Sequence, residues 1–193
     1  ALSCASGPYA VFPHNDTVDV PLNAQIVVWY SGQTVEEVPL QLVEVSGVQV
    51  VPVSLEVVED SGGAVRMIPD EPLGAELIYR VEALWPDSAP QMLSLFVTGE
   101  SVDTTAPNTP GILSVERGEN GGEWGPTDFV RTEVGPANEL VYYRTEVSSD
   151  EGFTKSEFST VMTHEDAVQI GHNLCENTLQ MSAMDVKFVR LTA

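Results

Sequence analysis

The chain has few positive charges. Its 193 residues carry 8 lysines and arginines against 29 aspartates and glutamates, a formal net charge of −21. The deficit is spread along the chain: up to Asp103 there are 15 acids and 2 bases, and beyond it 14 acids and 6 bases. No terminal tail carries the bias. An acidic surface of this kind repels phosphate backbones and anionic headgroups, which argues against nucleic acid as a partner. Long apolar runs are also missing. The longest, Ile26 to Tyr30, is strand-sized, far short of the roughly 18 residues that cross a bilayer as a helix. A hydrophobic fraction of 42% is nonetheless ordinary for a folded protein.

The residues that carry chemistry are sparse as well. There are 3 histidines and 2 cysteines. His164-Glu165-Asp166-Ala167-Val168 begins like a zinc-protease helix but has Val168 where the second histidine must stand, so no i, i+4 ligand pair forms. His172 and Cys175 make one pair with no second pair to complete a tetrahedral site. No serine sits in a Gly-x-Ser-x-Gly elbow, and no glycine-rich phosphate loop occurs. The chain is therefore not expected to be an enzyme.

What is present is alternation with period two. Ile26, Val28 and Tyr30 form one such series. Others are Val38, Leu40 and Leu42; Val51, Val53, Leu55 and Val57; Val65 and Met67; Leu77, Tyr79, Val81 and Ala83; Leu93, Leu95 and Val97. Successive strand side chains point to opposite faces, so each series offers one face to a core. Turn residues separate the runs: Pro13-His14-Asn15-Asp16, Ser31-Gly32, Ser46-Gly47, Asp60-Ser61-Gly62-Gly63, Pro69 to Pro72, and Pro86-Asp87. About seven short strands at this spacing predict a β-sandwich. Pro52 cannot donate to a ladder, so its strand is expected at an edge or bulged near Val50-Val51.

Thr98 to Pro110 is small, polar and proline-bearing, and it divides two such regions. The expected fold is all-β, two Ig-like or fibronectin-like β-sandwiches in tandem. The first covers 1–99, a linker 100–110, and the second 111–193. In the second region strands are expected at Gly111–Val115, Phe129–Val134, Leu140–Val147, Phe158–Met162, Ala167–Gly171 and Val186–Ala193, with Arg117 to Gly125 as a loop.

Three separated motifs carry a family resemblance. Val20-Pro21-Leu22-Asn23 leading into Ile26 to Ser31, then Arg66 to Pro69 with Pro72-Leu73 and Tyr79-Arg80-Val81, then Phe96-Val97-Thr98-Gly99, fall in order over residues 8 to 99. Together they resemble bacterial Ig-like modules of the SbsA type, found in surface and secreted proteins. The resemblance implies that Tyr79 is a tyrosine-corner residue, its ring inside and its hydroxyl on backbone near the preceding turn. Asp103 to Pro107 resembles the junction between tandem bacterial Ig-like and fibronectin-type modules. Val186 to Ala193 resembles the sixth strand of fibronectin type III modules. The family's second-strand tryptophan is missing, and Trp124 falls in the expected loop. Either the chain stops without a seventh strand, or Thr178 to Met184 is the sixth and the closing segment the seventh.

The implied function is a non-catalytic spacer or adhesion module of a bacterial protein that is secreted, periplasmic or on the cell surface, presenting itself to a protein or glycan. A glycan-binding accessory module of a polysaccharide-active enzyme is the first alternative; Trp29, Trp85 or Trp124 would then line a groove. A periplasmic copper carrier is the second, with Met162, Met181 and Met184 as soft ligands. Core filling by flexible thioethers is the better reading of those methionines, and such carriers need a histidine-bearing N-terminus where this chain has Ala1. Calcium is the one cofactor worth naming. Glu100 and Asp103 bracket the joint, Asp87 or Asn108 could approach, and hard carboxylates suit that ion; a solvated acidic linker is the plainer reading. Asp150-Glu151-Gly152 is a second such candidate and also an ordinary turn. Ala1-Leu2-Ser3-Cys4 has Leu2 and Ser3 in the wrong order for a lipobox, so a lipid anchor at Cys4 is not expected. The opening residues have no charged n-region or apolar h-region, so a secretory signal, if one existed, is expected to have been removed already. Cys4 and Cys175 pair only if their Cα atoms come within about 7 Å, which an extended tandem forbids and a folded-back one permits.

Overall fold

The computed structural model describes residues 6–58, 63–105, 111–122, 125–134, 142–154, 158–163, 167–171 and 188–192. Every regular element among them is a strand, and the fold is all-β. The chain divides into two units, with the break after Thr105, inside the stretch expected to join two regions.

The first unit contains β1 (Gly7–Phe12), β2 (Thr17–Val20), β3 (Ile26–Ser31), β4 (Leu40–Glu44), β5 (Gln49–Val51), β6 (Val53–Val57), β7 (Ala64–Pro69), β8 (Ile78–Ala83) and β9 (Gln91–Thr98). They form a four-stranded sheet in the order β1-β3-β7-β6 and a five-stranded sheet in the order β2-β9-β8-β4-β5. Nine segments stand where fewer runs were expected, because β1 and β2 were not among those runs and the run through Pro52 is divided between the two sheets. β1 pairs antiparallel with β3, a cis Phe12–Pro13 bond follows, and β2 pairs parallel with β9. β5 pairs with β4, and after Pro52 β6 pairs with β7. Pro52 therefore sits where the chain passes between sheets and no amide donor is required. Both β5 and β6 are edges, as the proline foretold.

The core lies between these sheets. Ile26, Val28 and Tyr30 of β3 and Val65 and Met67 of β7 meet Leu40 and Leu42 of β4, Tyr79 and Val81 of β8 and Phe96 of β9. Inner-face residues of two sheets make a sandwich core. Part of one expected series points the other way: Leu93, beside a bulge, packs against the core, but Leu95 and Val97 do not. On β9 it is Ser94, Phe96 and Thr98 that are buried, while Leu95 and Val97 lie half-exposed on the outer face. Leu93, Leu95, Phe96 and Val97 supply apolar groups in both phases, so alternation alone does not choose. Phe96 decides it by filling the core, where it is fully buried. The two hydroxyls that follow it inward are satisfied: Ser94 donates to the Pro13 carbonyl (2.8 Å) and Thr98 to the Gly74 carbonyl (2.7 Å).

The second unit contains β10 (Ile112–Gly122), β11 (Gly125–Val134), β12 (Tyr142–Ser148), β13 (Phe158–Thr163), β14 (Ala167–Gly171) and β15 (Phe188–Thr192). Its sheets run β10-β11-β14 and β13-β12-β15. The stretch expected as a loop, Arg117 to Gly125, is largely strand: β10 and β11 are paired from Glu133 opposite Ser114 to Gly125 opposite Gly122. Glycine disfavours strands only weakly, and a continuous ladder overrides that preference. β15 pairs directly with β12 and is the sixth strand of this unit among the described residues. Thr178 to Met184 lie outside them.

Candidate functional site

β2, which follows β1, and β9, the last strand of the first unit, form a hydrogen-bonded seam. β2 and its flanks run parallel to β9 and its continuation. The Asp16 amide donates to the Leu95 carbonyl (2.7 Å), the Gly99 amide to Val20 (2.9 Å) and the Leu22 amide to Ser101 (3.1 Å). Asn15 Oδ1 accepts from the Leu95 amide (3.1 Å). Beyond the strands, Asn23 closes the seam as a two-point clamp. Its Nδ2 donates to the Asp103 carbonyl (2.6 Å) and its Oδ1 accepts from the Asp103 amide (2.9 Å). Ser101 to Asp103 is thus tied to the first unit. The sequence marked Asn23 only as part of a family motif; its role depends on a residue 80 positions away.

The expected calcium residues sit at the end of this seam. Glu100 is exposed. The Asp103 carboxylate accepts the Thr105 amide (2.8 Å) and so closes a turn of its own. Asn108 lies outside the described residues. Among the described residues no group of three or more histidines, cysteines, aspartates or glutamates is placed to hold a metal ion. Asp150 is likewise occupied. It accepts from the Gly152 and Thr154 amides (3.0 Å each) and from the Thr154 hydroxyl. The hydroxyl, followed by the two amides, holds its carboxyl below the usual range. The Ser46 hydroxyl does the same for Glu44, with the Gly47 and Ser46 amides. A depressed carboxylate contributes stability above its ordinary value, lost as pH falls through the folded one.

Tyr79 stands as a tyrosine corner should. Its ring is buried and stacks on Phe96 at 5.7 Å, and its hydroxyl accepts from the Gly74 amide (2.8 Å). Tyr30 anchors the other sheet, donating to the Val38 carbonyl (2.7 Å). Burial pushes its hydroxyl well above the ordinary value of 10, and Glu36 adds to the effect. The folded state therefore holds the proton more tightly than the unfolded one. Stability from this group is complete below about pH 10 and is lost as pH climbs toward the folded value. Tyr30→Phe leaves a buried carbonyl without its donor and should cost about 1–3 kcal/mol at neutral pH. The gap between wild type and variant in urea unfolding should narrow above pH 10; a constant gap would refute the assignment.

The aromatic and sulfur candidates are scattered. Trp29 is buried. Trp85 is half-buried, packs against the core, and donates Nε1 to Gln91 Oε1 (2.7 Å). These two do not form an exposed platform. Met67 is fully buried and Met92 exposed. Cys4, Cys175, Trp124, His164, His172, Met181 and Met184 lie outside the described residues, and of Met162 only the backbone is described.

One polar group escaped the sequence reading altogether. Glu82 of β8 is almost fully buried although it faces away from the core. Arg80 Nε lies 2.6 Å from its Oε1, and Gln41 Nε2 donates to its Oε2. On one strand the pair reads as exposed alternation; only the register of β4 against β8 brings Gln41 opposite Glu82. No protein-family model matches the chain, and no curated protein matches it significantly.

Proposed function

We propose that the chain is a non-catalytic spacer segment of a bacterial secreted or cell-surface protein, its first unit an Ig-like module and its second a fibronectin type III-like one. The observation that carries the reading is the seam. Because β2, the strand after β1, and β9, the last strand of the first unit, run parallel, force that pulls on the chain beyond β1 slides one strand past the other. The seam bonds then share the load instead of opening one at a time. Strand switching at Pro13 and Pro52, the tyrosine corner at Tyr79 and the order β2-β9-β8-β4-β5 support the Ig-like reading. For the second unit the support is the pairing of β15 with β12 and of β14 with β11. The acidic surface suits a segment that must stay soluble and extended from its neighbours.

Single-molecule stretching of the end-tethered chain tests this. The first unit should resist as one cooperative event. Asn23→Ala, which removes both contacts to Asp103, should lower the force of that event and strip the Asp103 amide of its protection from hydrogen exchange. A first unit that pays out gradually, or an unchanged force in the variant, would count against the spacer reading.

A further inference from the structure

β6 differs from the other edge strands of the first unit. Natural edges carry devices that block pairing with a further strand: prolines, bulges, charges or very short length. β1 has Pro8 and a register shift between Pro8 and Ala10. β2 has a shift between Thr17 and Val20, with Asp19 at a φ of 57°. β5 is three residues long and stops before Pro52. β6 runs five residues, Val53 to Val57, in unbroken register with β7. Its one charge, Glu56, is paired with Arg66. The backbone of its free side is set out to receive a strand. The Asp70 amide donates to the Pro52 carbonyl (3.1 Å) and the Val58 amide to the Ala64 carbonyl (2.9 Å). Mutually bonded pairs alternate in an antiparallel ladder, so Ser54 and Glu56 also turn toward β7. Val53, Leu55 and Val57 turn their amides and carbonyls the other way, where no strand lies among the described residues. The side chains of Leu55 and Val57 share the face of Met67 and Val65, both in the core. Yet Leu55 is 41% exposed and Val57 64%. The inner face is left open at this edge.

We propose that β6 pairs antiparallel with β6 of a second copy, joining the two four-stranded sheets into one. The strand's own sequence selects this occupant. Residues whose amides and carbonyls face outward must meet residues that do the same. A two-fold axis at Leu55 engages every one of them: Leu55 meets Leu55 of the second copy, and Val53 meets Val57 in both directions. Glu56 then lies opposite Ser54. An axis at Glu56 would set two carboxylates face to face, which is unfavourable, and an axis at Ser54 leaves Val57 without a partner. One register therefore satisfies the backbone, keeps the charges apart and continues the apolar row of Leu55 and Val57 across the axis. Self-complementarity of this kind is what an isologous contact requires. Any extended peptide could meet the backbone; the match of both side-chain faces singles out a second copy. Each β6 has one free side, so the pairing closes at two copies.

Both copies are strongly acidic, so screening should favour association. Sedimentation of the full chain, with reductant present, should show a monomer–dimer equilibrium that tightens between about 50 and 500 mM NaCl. The register also predicts an alternating pattern of hydrogen exchange. As protein concentration rises, exchange should slow at the Val53, Leu55 and Val57 amides and change little at Ser54 and Glu56, which already face β7. Leu55→Pro should weaken the dimer at least about tenfold, because each copy loses a donor across the axis. The lost amide faces away from β7, where an edge strand tolerates proline, so the monomer should keep its circular dichroism spectrum. Ile78→Asp, at an exposed position on the five-stranded sheet, should leave the dimer unchanged. A monomer at every concentration and salt would overturn the proposal, and so would species larger than a dimer. A dimer that Leu55→Pro leaves intact, or that Ile78→Asp disrupts equally, would do the same. The exchange pattern is read on the wild-type chain, so a dimer without slowed exchange at Val53, Leu55 and Val57 refutes the proposal whatever the variants do. The dimer does not depend on the spacer reading: either can fail without the other.

Discussion

Phe96→Ala is expected to destabilise the first unit by about 3–5 kcal/mol, the cost of emptying a large aromatic site. The size of the effect follows from where the ring sits. Phe96 is fully buried at the middle of β9, which is hydrogen-bonded on both sides, to β8 and to β2. Its ring stacks on Tyr79, 5.7 Å away and 23° from parallel, and it joins the same cluster as residues from both sheets. A site between two laddered sheets cannot collapse, because each strand's position is set by its neighbours. The cavity should therefore persist and add its cost to the lost burial. A unit of this size has about 5–15 kcal/mol in total, so the loss is a large share of it. Urea unfolding should show a lower midpoint with an unchanged slope, and the first thermal transition should fall by more than about 10 °C. A loss under about 1.5 kcal/mol, nearer that of a single trimmed methyl group, would mean that the sheets close over the gap and that the core is softer than described.

The core was largely legible because most runs are apolar in one phase only. Val38, Leu40 and Leu42 alternate with polar residues or proline, and they point inward as read. Legibility failed where both phases are apolar. On β9 Leu93 packs against the core as expected, but Leu95 and Val97 were read inward where Phe96, a larger group in the opposite phase, takes the core. On β8, Ile78 lies between Leu77 and Tyr79, outside the expected series, and is exposed on the outer face. β1 and β2 were unread because Pro8, Pro13 and the polar Asn15-Asp16 break the pattern, and what secures β2 is parallel pairing with a strand some 80 residues on. The glycines of β10 and β11 argued for a loop, and only the cross-strand register reveals a ladder. The candidate site was legible as composition but not as geometry. Sequence offers Asp103 as a carboxylate facing solvent; the fold gives that carboxylate to the Thr105 amide and the backbone of Asp103 to Asn23.

Gly63→Ala should cost the first unit about 2–4 kcal/mol, although it adds one carbon. Two independent terms lead there. Gly63 has φ of +104°, a conformation that side-chain-bearing residues rarely adopt and that costs about 1–3 kcal/mol to impose. A Cβ at this position would also fall 2.7 Å from the Tyr30 carbonyl oxygen. Neither partner can retreat. The Gly63 carbonyl accepts the Tyr30 amide (3.0 Å), which extends the ladder between β3 and β7 by one step, and the Tyr30 hydroxyl is fixed on Val38. Relieving the contact therefore means breaking a backbone bond or shifting a buried ring. Gly111→Ala is the control, since that glycine has open space where the carbon would go and should change stability by less than about 0.5 kcal/mol. The variant's amide exchange should rise at Tyr30 first, because that bond bears the clash directly. Equal, small losses for the two substitutions would show that Gly63 does not hold β3 against β7, and the strain attributed to it would have to be withdrawn.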